Sequence, residues 1–187
     1  MLRLQNLRAE ISPQNETIHR ELENLIADTN QTINKMRQLA QGIRPTILDT
    51  LGLKTALQTY CREYSIRTSL PVIVEMDEKI PELSDIYSIT LYRFLQETLT
   101  NVIKHAKANQ VWVELTLDER EIVLTVQDNG RGFSMDDPSI KSGIGLTGLR
   151  ERLTLVGGNL SITSAPAKGA IISAHLPLDG IQAKEQP

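Results

Sequence analysis

The residues with the clearest chemical potential lie in one stretch near the middle of the sequence. Glu97, Asn101 and His105 follow one another at intervals of four, and Lys104 stands beside them. A helix would place this series on one face. A carboxylate, a carboxamide and a cation there suit a magnesium–phosphate site, because Mg²⁺ takes oxygen ligands and a lysine neutralises phosphate. Taken alone, the series is also typical of the solvated face of an amphipathic helix.

A second group follows a predicted strand and reads Asp128-Asn-Gly-Arg-Gly-Phe133. A carboxylate at a strand end can accept a hydrogen bond from an amino group such as that of adenine. Gly130 and Gly132 allow the backbone to approach a flat ligand closely. Asp-Asn-Gly is also a common turn sequence, so this group by itself does not define a site.

A third group, Gly143-Ile-Gly-Leu-Thr-Gly148, precedes a predicted helix. Free N–H groups at a helix N-terminus can receive phosphate. The group is not a P-loop, because no Gly-Lys-Ser/Thr follows it. Its glycine spacing matches the dinucleotide-binding fingerprint, but a helix and a hairpin precede it in place of a βαβ unit.

The elements that must position these groups are predicted from hydrophobic periodicity and from Pro and Gly. Pro71 favours an edge or first-residue position for the first strand. About 18 residues after Val126 show no dominant period, which is typical of a lid or a disordered loop. The predicted helices cover residues 54–67, 84–106 and 148–156, and the predicted strands cover residues 70–76, 111–117, 122–126, 159–164 and 170–176.

The N-terminal part has a different pattern. Residues 17–43 carry apolar or small side chains at alternating spacings of four and three, the signature of a bundle or coiled-coil helix. Residues 2–11 are predicted to form the end of an antiparallel partner helix, and Pro45 ends the long helix. Two helices cannot bury both apolar stripes, so we expect dimerisation through a helical bundle.

Composition excludes several classes of protein. The 187 residues carry a net charge of −3, which argues against a nucleic-acid partner. The single cysteine, Cys61, excludes an intrachain disulfide and a multi-cysteine zinc site, and we expect it to serve packing. No apolar run is long enough to span a bilayer. We therefore expect a cytoplasmic fragment that makes no membrane contact itself, from a parent protein that can be membrane-anchored.

The order and spacing of the three groups are more specific than any one of them. Glu-x3-Asn-x2-Lys-His, a strand pair, Asp-x-Gly-x-Gly-Phe and then Gly-x-Gly-Leu resemble the N, G1 and G2 boxes of the gyrase, histidine-kinase and mismatch-repair (GHKL) ATPase superfamily. In detail the chain is similar to sensor histidine kinases of the nitrate-sensor type. The resemblance covers about residues 17 to 177, and the further matching segments are Ile43 to Leu53, Gly148-Leu-Arg-Glu-Arg152, Gly157-Gly158 and Ser164 to Gly169.

The resemblance implies an α+β fold in two parts. Residues 1–50 would be a helical hairpin or bundle fragment for dimerisation. Residues 54–178 would be the histidine-kinase-like catalytic domain, a two-layer α/β sandwich of the Bergerat ATP-binding type with a mixed sheet and helices on one face. Residues 179–187 would be a polar tail.

The resemblance also implies ATP and Mg²⁺ as cofactors and a role for each motif residue. Asn101 would hold Mg²⁺, Lys104 and His105 would contact phosphates, and Asp128 would accept from the adenine amino group. Glu97 occupies the position that activates water in the ATPase members, and it would be catalytic together with Asn101 and Lys104. The glycines would shape the pocket and hinge a lid from Asn129 to Ser142. The remaining cofactor-binding residues are Gly130, Gly132, Gly143, Gly145, Leu146 and Thr147.

The implied activity is transfer of the ATP γ-phosphate to a histidine N-terminal to this fragment, for relay to a response regulator. The family's acceptor is a His followed by Asp or Glu, whereas His19 is followed by Arg20 and lies on the second bundle helix. The late glycine is followed by Ala170, where the family usually has Thr, so one water-mediated adenine contact lacks its usual hydroxyl. His175 is expected to be structural, and Arg150 and Arg152 stay outside the predicted site.

Two other functions remain open from the sequence. One is a different enzyme on the same fold, either an ATP-hydrolysing machine or a serine kinase of the anti-sigma type. The heptad helix and the Arg-Pro junction weigh against it, since those relatives carry no such bundle. The other is a non-catalytic dimerising scaffold with a vestigial nucleotide site, and the presence of all three boxes weighs against that.

Overall fold

The computed structural model describes residues 45–134 and 144–178. The compact unit that contains them begins at Pro45. The predicted helices over residues 2–11 and 17–43, and the polar tail over residues 179–187, lie outside the described residues. The bundle and the dimer contacts expected there therefore stay predictions.

Helix α1 begins before the predicted domain boundary at Lys54. It spans Thr46–Thr68, Pro45 precedes its first residue, and Gly52 (φ 70°, ψ 173°) divides it into two helical segments. Leu48 and Leu53 are buried in the same core as the rest of the helix. The residues from Thr46 onward therefore belong to the compact unit that begins at Pro45.

The other two helices carry the predicted site residues. Helix α2 spans Asp85–Asn101 and continues into a π-helical turn over Val102–Ala106. Helix α3 spans Ile144–Leu155, so it begins earlier than the predicted start at Gly148. Gly145 and Gly148 consequently lie within α3, and Gly145 occupies its first turn.

The strands form a five-stranded mixed sheet in the order β1-β2-β3-β5-β4. Strands β1 and β2 are parallel, and the other neighbours are antiparallel. Strand β1 lies at the edge, as Pro71 predicts, because a proline cannot donate to a second neighbour. The strands are β1 (Val72–Met76), β2 (Val111–Leu117), β3 (Glu121–Asp128), β4 (Asn159–Ser164) and β5 (Ala170–Pro177).

One face of the sheet packs against the three helices and holds the core. Alternate side chains of the central strands are buried on that face, while their neighbours on the strand remain partly exposed. Cys61 belongs to this core, and burial raises the pKa of its thiol to about 12, which agrees with a packing role. The predicted two-layer sandwich with helices on one face is confirmed for the described residues.

His175 links three strands on the opposite face. Its Nδ1 lies 2.9 Å from Oε1 of Glu121 on β3, and its Nε2 lies 2.9 Å from Oγ of Ser161 on β4. Both ring nitrogens therefore have protein partners, which agrees with the structural role expected from the sequence.

A first prediction concerns two glycines with the same positive φ. Gly52 and Gly169 both have φ of +70°, but a Cβ at residue 169 would lie 1.9 Å from the Asp128 carbonyl oxygen, whereas a Cβ at residue 52 meets nothing within 4 Å. Gly52→Ala should lower the free energy of unfolding by about 1–3 kcal/mol, because φ 70° with ψ 173° lies in a region that only glycine adopts readily. Gly169→Ala should lower it by more than about 3 kcal/mol, because backbone must move. Urea unfolding followed by Trp112 fluorescence measures both, and equal losses would contradict the close approach at residue 169.

Candidate nucleotide site

The face predicted on α2 is present in part. Glu97 and Asn101 are half-buried on this helix, which packs against β3 and β5. The following π-helical turn carries Lys104 and His105, whose side chains are exposed. Because a π turn is wider than an α turn, these two side chains are displaced around the helix from their α-helical positions. The spacing argument, which assumed an α-helix up to His105, therefore does not fix where Lys104 and His105 point.

Helix α3 brings the glycine-rich segment onto this face. A Cβ at Gly145 would lie 2.7 Å from Oε1 of Glu97, and 3.5 Å and 3.7 Å from the amide nitrogen and oxygen of Asn101. A side chain at residue 145 would therefore displace the Glu97 carboxylate. The first turn of α3, whose N–H groups have no partner within the helix, thus lies beside a carboxylate and a carboxamide.

Asp128 ends β3 as a buried carboxylate. Its Oδ1 accepts a hydrogen bond from the Gly130 N–H at 2.8 Å. Burial raises the pKa of Asp128 above its ordinary value, and the backbone N–H groups of Gly130 and Ala170 act against this increase. Residues 128 and 170 are paired in the sheet, so two strands fix the position of the carboxylate.

A backbone contact joins the end of β3 to the end of α2. The Arg131 N–H donates to the Ala106 carbonyl oxygen at 2.7 Å. A Cβ at Gly130 would lie 2.3 Å from the same oxygen, so this approach also needs a glycine. Asn129 supports the junction from the side, since its Oδ1 accepts from the N–H groups of Asn109 and Gln110 at 3.0 Å and 3.1 Å.

The next residues are tied to the connection between β4 and β5. The Arg131 carbonyl oxygen accepts from the Ala167 N–H at 2.7 Å, and the Phe133 N–H donates to Ser164 Oγ at 3.0 Å. Gly132 (φ 59°) faces the Ala165 carbonyl, to which a Cβ would come within 2.1 Å. The predicted lid from Asn129 to Ser142 is thus anchored at its start, and its continuation through residues 135–143 lies outside the described residues.

The predicted site residues fall into distinct groups. Glu97, Asn101 and Gly145 are in contact, and Asp128 with Gly130 is joined to the same helix through Ala106. Leu146 is half-buried and packs against the core, whereas Thr147 is exposed. Gly143 lies outside the described residues.

The structure adds Arg152, which the sequence prediction left out. It is half-buried on α3, and burial lowers the pKa of its guanidinium, while the Glu97 carboxylate acts in the opposite direction. Residues seven apart share a helix face, so the spacing from Gly145 to Arg152 was the available signal. The Ala106 carbonyl gave no signal, because any residue type presents one.

These groups fit a purine base and a magnesium–phosphate group. The Asp128 carboxylate keeps lone pairs that can accept from an exocyclic amino group, and its protein donors are backbone N–H groups. In residues 45–134 and 144–178, no three His, Cys, Asp or Glu side chains form a metal cluster. Mg²⁺ in a phosphate site needs only one or two protein oxygens, because phosphates and water supply its other ligands. Within the same ranges, no helix is both long and apolar enough to cross a bilayer.

Comparison with known proteins identifies the same family. Residues 87–180 match the family model described as histidine kinase-, DNA gyrase B- and HSP90-like ATPase. The chain is 32% identical over 149 residues to the oxygen sensor histidine kinase NreB of Staphylococcus carnosus, covering 80% of this chain and 43% of that protein. It is 35% identical over 150 residues to the sensor histidine kinase MctS of Rhizobium johnstonii, covering 79% and 32%. The chain thus spans less than half the length of these relatives.

A solved structure shows the same fold. The histidine kinase domain of the blue-light activated histidine kinase EL346 from Erythrobacter litoralis superimposes with a TM-score of 0.62 at 16% sequence identity. The superposition covers 94% of this chain and 91% of that one. The resemblance to histidine kinases expected from the three boxes is confirmed, and the chain belongs to the histidine kinase-, DNA gyrase B- and HSP90-like ATPase family, with the catalytic domain of the histidine kinase type.

Proposed function

We propose that this domain binds Mg-ATP and serves as the catalytic part of a two-component sensor histidine kinase. The observation that carries the proposal is the approach of Gly145 to Glu97 and Asn101. It brings a helix N-terminus, a carboxylate and a carboxamide to one place, which is what binding a magnesium–phosphate group needs. Phosphoryl transfer depends mainly on positioning and charge neutralisation, and these groups supply both.

In this proposal the base and the phosphates bind at opposite ends of one site. Asp128, held by the N–H groups of Gly130 and Ala170, accepts from the adenine amino group. The side-chain oxygen of Asn101 holds Mg²⁺, which neutralises phosphate charge when bound. Lys104 and Arg152 are the cations available to the phosphates, and the His105 imidazole can donate a hydrogen bond to them.

The Glu97 carboxylate and the Asn101 amide both face Gly145, and this carboxylate acts to raise the pKa of the Arg152 guanidinium. The Glu97 carboxylate can therefore orient a hydroxyl or imidazole acceptor or a water molecule near the γ-phosphate. Gly145 and the N–H groups of the first α3 turn complete the phosphate end, followed by Leu146 and Thr147. The lid glycines Gly132 and Gly143 stay predicted pocket residues.

The phosphoacceptor is proposed to be a histidine N-terminal to this fragment in the longer protein. The three histidines of the chain are each followed by Arg, Ala or Leu, so none forms a His-Asp or His-Glu pair. Residues 1–50 would dimerise through a bundle, and a response regulator would receive the phosphoryl group in the cytoplasm. Assignment to the nitrate-sensor type stays a prediction.

The Asp128→Asn variant tests recognition of the base. An amide nitrogen in place of one carboxylate oxygen would oppose the adenine amino group, so ATP affinity should fall about 100-fold or more. Because burial raises the pKa of Asp128, its ionised form lowers the stability of the protein at neutral pH. Replacing this carboxylate by the neutral Asn amide should therefore change the free energy of unfolding by less than about 1 kcal/mol.

Calorimetric titration with ATP at neutral pH, together with urea unfolding, measures both effects. Asp118→Asn makes the same chemical change at an exposed turn, where the carboxylate accepts from the N–H groups of Arg120 and Glu121. It should leave ATP affinity unchanged. Wild-type affinity in Asp128→Asn would refute the assigned role of Asp128.

The Asn101→Ala variant tests the magnesium site. Wild-type protein should bind ATP more tightly with Mg²⁺ than with EDTA, and the variant should lose about tenfold of that enhancement, because one oxygen ligand is gone. Asn159→Ala, on the exposed side of β4, is the matched control and should keep the full enhancement. An undiminished Mg²⁺ effect in Asn101→Ala would remove this residue from the site.

Incubation with radiolabelled ATP tests where the acceptor lies. The 187-residue chain should bind ATP without becoming labelled, whereas a longer protein that includes the preceding helix should carry acid-labile phosphohistidine. Label on the 187-residue chain that disappears in His19→Ala would contradict an upstream acceptor. Steady ATP hydrolysis that is lost in Glu97→Gln would instead indicate an ATPase.

A further inference from the structure

The hydroxyls of the three threonines of α2 differ in their hydrogen bonds. Thr90 and Thr100 each donate to the carbonyl oxygen four residues back, Ile86 and Gln96 respectively, at 2.7 Å. This is the usual way in which a helical threonine satisfies its hydroxyl. Thr98 lies between them on the same helix, and among the described residues its Oγ has no hydrogen-bond partner.

Thr98 is also more deeply buried than Thr90 and Thr100, with 1% of its surface exposed. An unpaired hydroxyl at such a position costs folding free energy, and a valine of the same shape would avoid that cost. The hydroxyl could have bonded back to its own helix as Thr90 does. Its orientation away from that carbonyl therefore indicates a different partner.

The position of Thr98 points to the nucleotide. It directly follows Glu97 and lies one turn before Asn101, at the border between the site face and the core face of α2. On the core side, the Tyr64 hydroxyl donates to the Leu99 carbonyl at 2.9 Å. Asp128 lies on the buried face of β3 with Leu124 and Val126, and α2 packs against this strand, so α2 and the Asp128 carboxylate lie on the same side of the sheet.

We propose that the Thr98 hydroxyl donates a hydrogen bond, directly or through one water, to ring nitrogen N1 of the adenine whose amino group Asp128 accepts. This inference rests on the nucleotide-binding function proposed above. N1 is an acceptor next to that amino group, and a threonine hydroxyl is a donor that can rotate towards it. Thr98 would then be a specificity-determining residue for the base.

Thr98→Val tests the proposal with two opposite readouts. Without nucleotide, the variant should melt about 3 °C higher than wild type, because an unpaired buried hydroxyl has been removed. Its ATP affinity in calorimetry should nevertheless fall about fivefold, the loss of one hydrogen bond. Thr98→Ser keeps the hydroxyl and should bind ATP within about twofold of wild type.

A base analogue identifies the ligand atom. 1-Deaza-ATP, which has C–H in place of N1, should bind wild type about fivefold more weakly than ATP, and Thr98→Val should not weaken it further. Thr90→Val is the matched control: it removes a bonded hydroxyl of the same helix, so it should lower the melting temperature and leave ATP affinity unchanged.

Each alternative outcome is distinct. Unchanged ATP affinity in Thr98→Val, or equal weakening of ATP and 1-deaza-ATP by that variant, would overturn the proposal. A lower melting temperature in Thr98→Val would mean that the hydroxyl has a protein partner and would also overturn it. Failure of the wild-type chain to bind ATP would instead overturn the proposed function itself.

Discussion

The contact on which the site depends is the one between the end of α2 and the loop that follows β3. The Ala106 carbonyl receives the Arg131 N–H at 2.7 Å, and Gly130 is the residue that lets the two backbones approach. This contact holds the loop after Asp128 against the end of α2, in addition to the packing of α2 on β3 and β5. One backbone hydrogen bond thus connects the base end of the proposed site with its phosphate end.

The π-helical turn is part of the same connection. It lies between Asn101 and the Ala106 carbonyl, and it ends at Lys107, whose φ of 52° turns the chain out of the helix. The wider turn displaces Lys104 and His105 while the helix before it continues to pack on the sheet. Lys104 and His105 are therefore positioned by a local irregularity of the backbone, whereas Glu97 and Asn101 are positioned by the regular helix.

Much of this architecture could be predicted from the sequence. Alternating β-branched residues gave the hairpin of β2 and β3, and Pro71 gave the edge strand, because both signals are local. The predicted start of α3 at Gly148 is too late, since glycines normally disfavour helix interiors, yet Gly145 lies in the first turn of α3 beside Glu97. The role of the Ala106 carbonyl and the π-helical turn that carries His105 depend on tertiary contacts and on backbone geometry, which spacing rules do not contain.

Two polar groups of the proposed site have a cost in folding free energy when no ligand is bound. Asp128 is a carboxylate whose burial disfavours its charge, and Thr98 is a buried hydroxyl without a protein partner among the described residues. Elsewhere on the same helix, Thr90 and Thr100 are fully satisfied. Polar groups that cost stability in the protein alone persist where binding a ligand offsets that cost. Thr98 lies on α2, and Asp128 lies at the end of β3, which the last turn of α2 contacts. The sequence of this helix therefore affects both the packing of the sheet and the chemistry of the site.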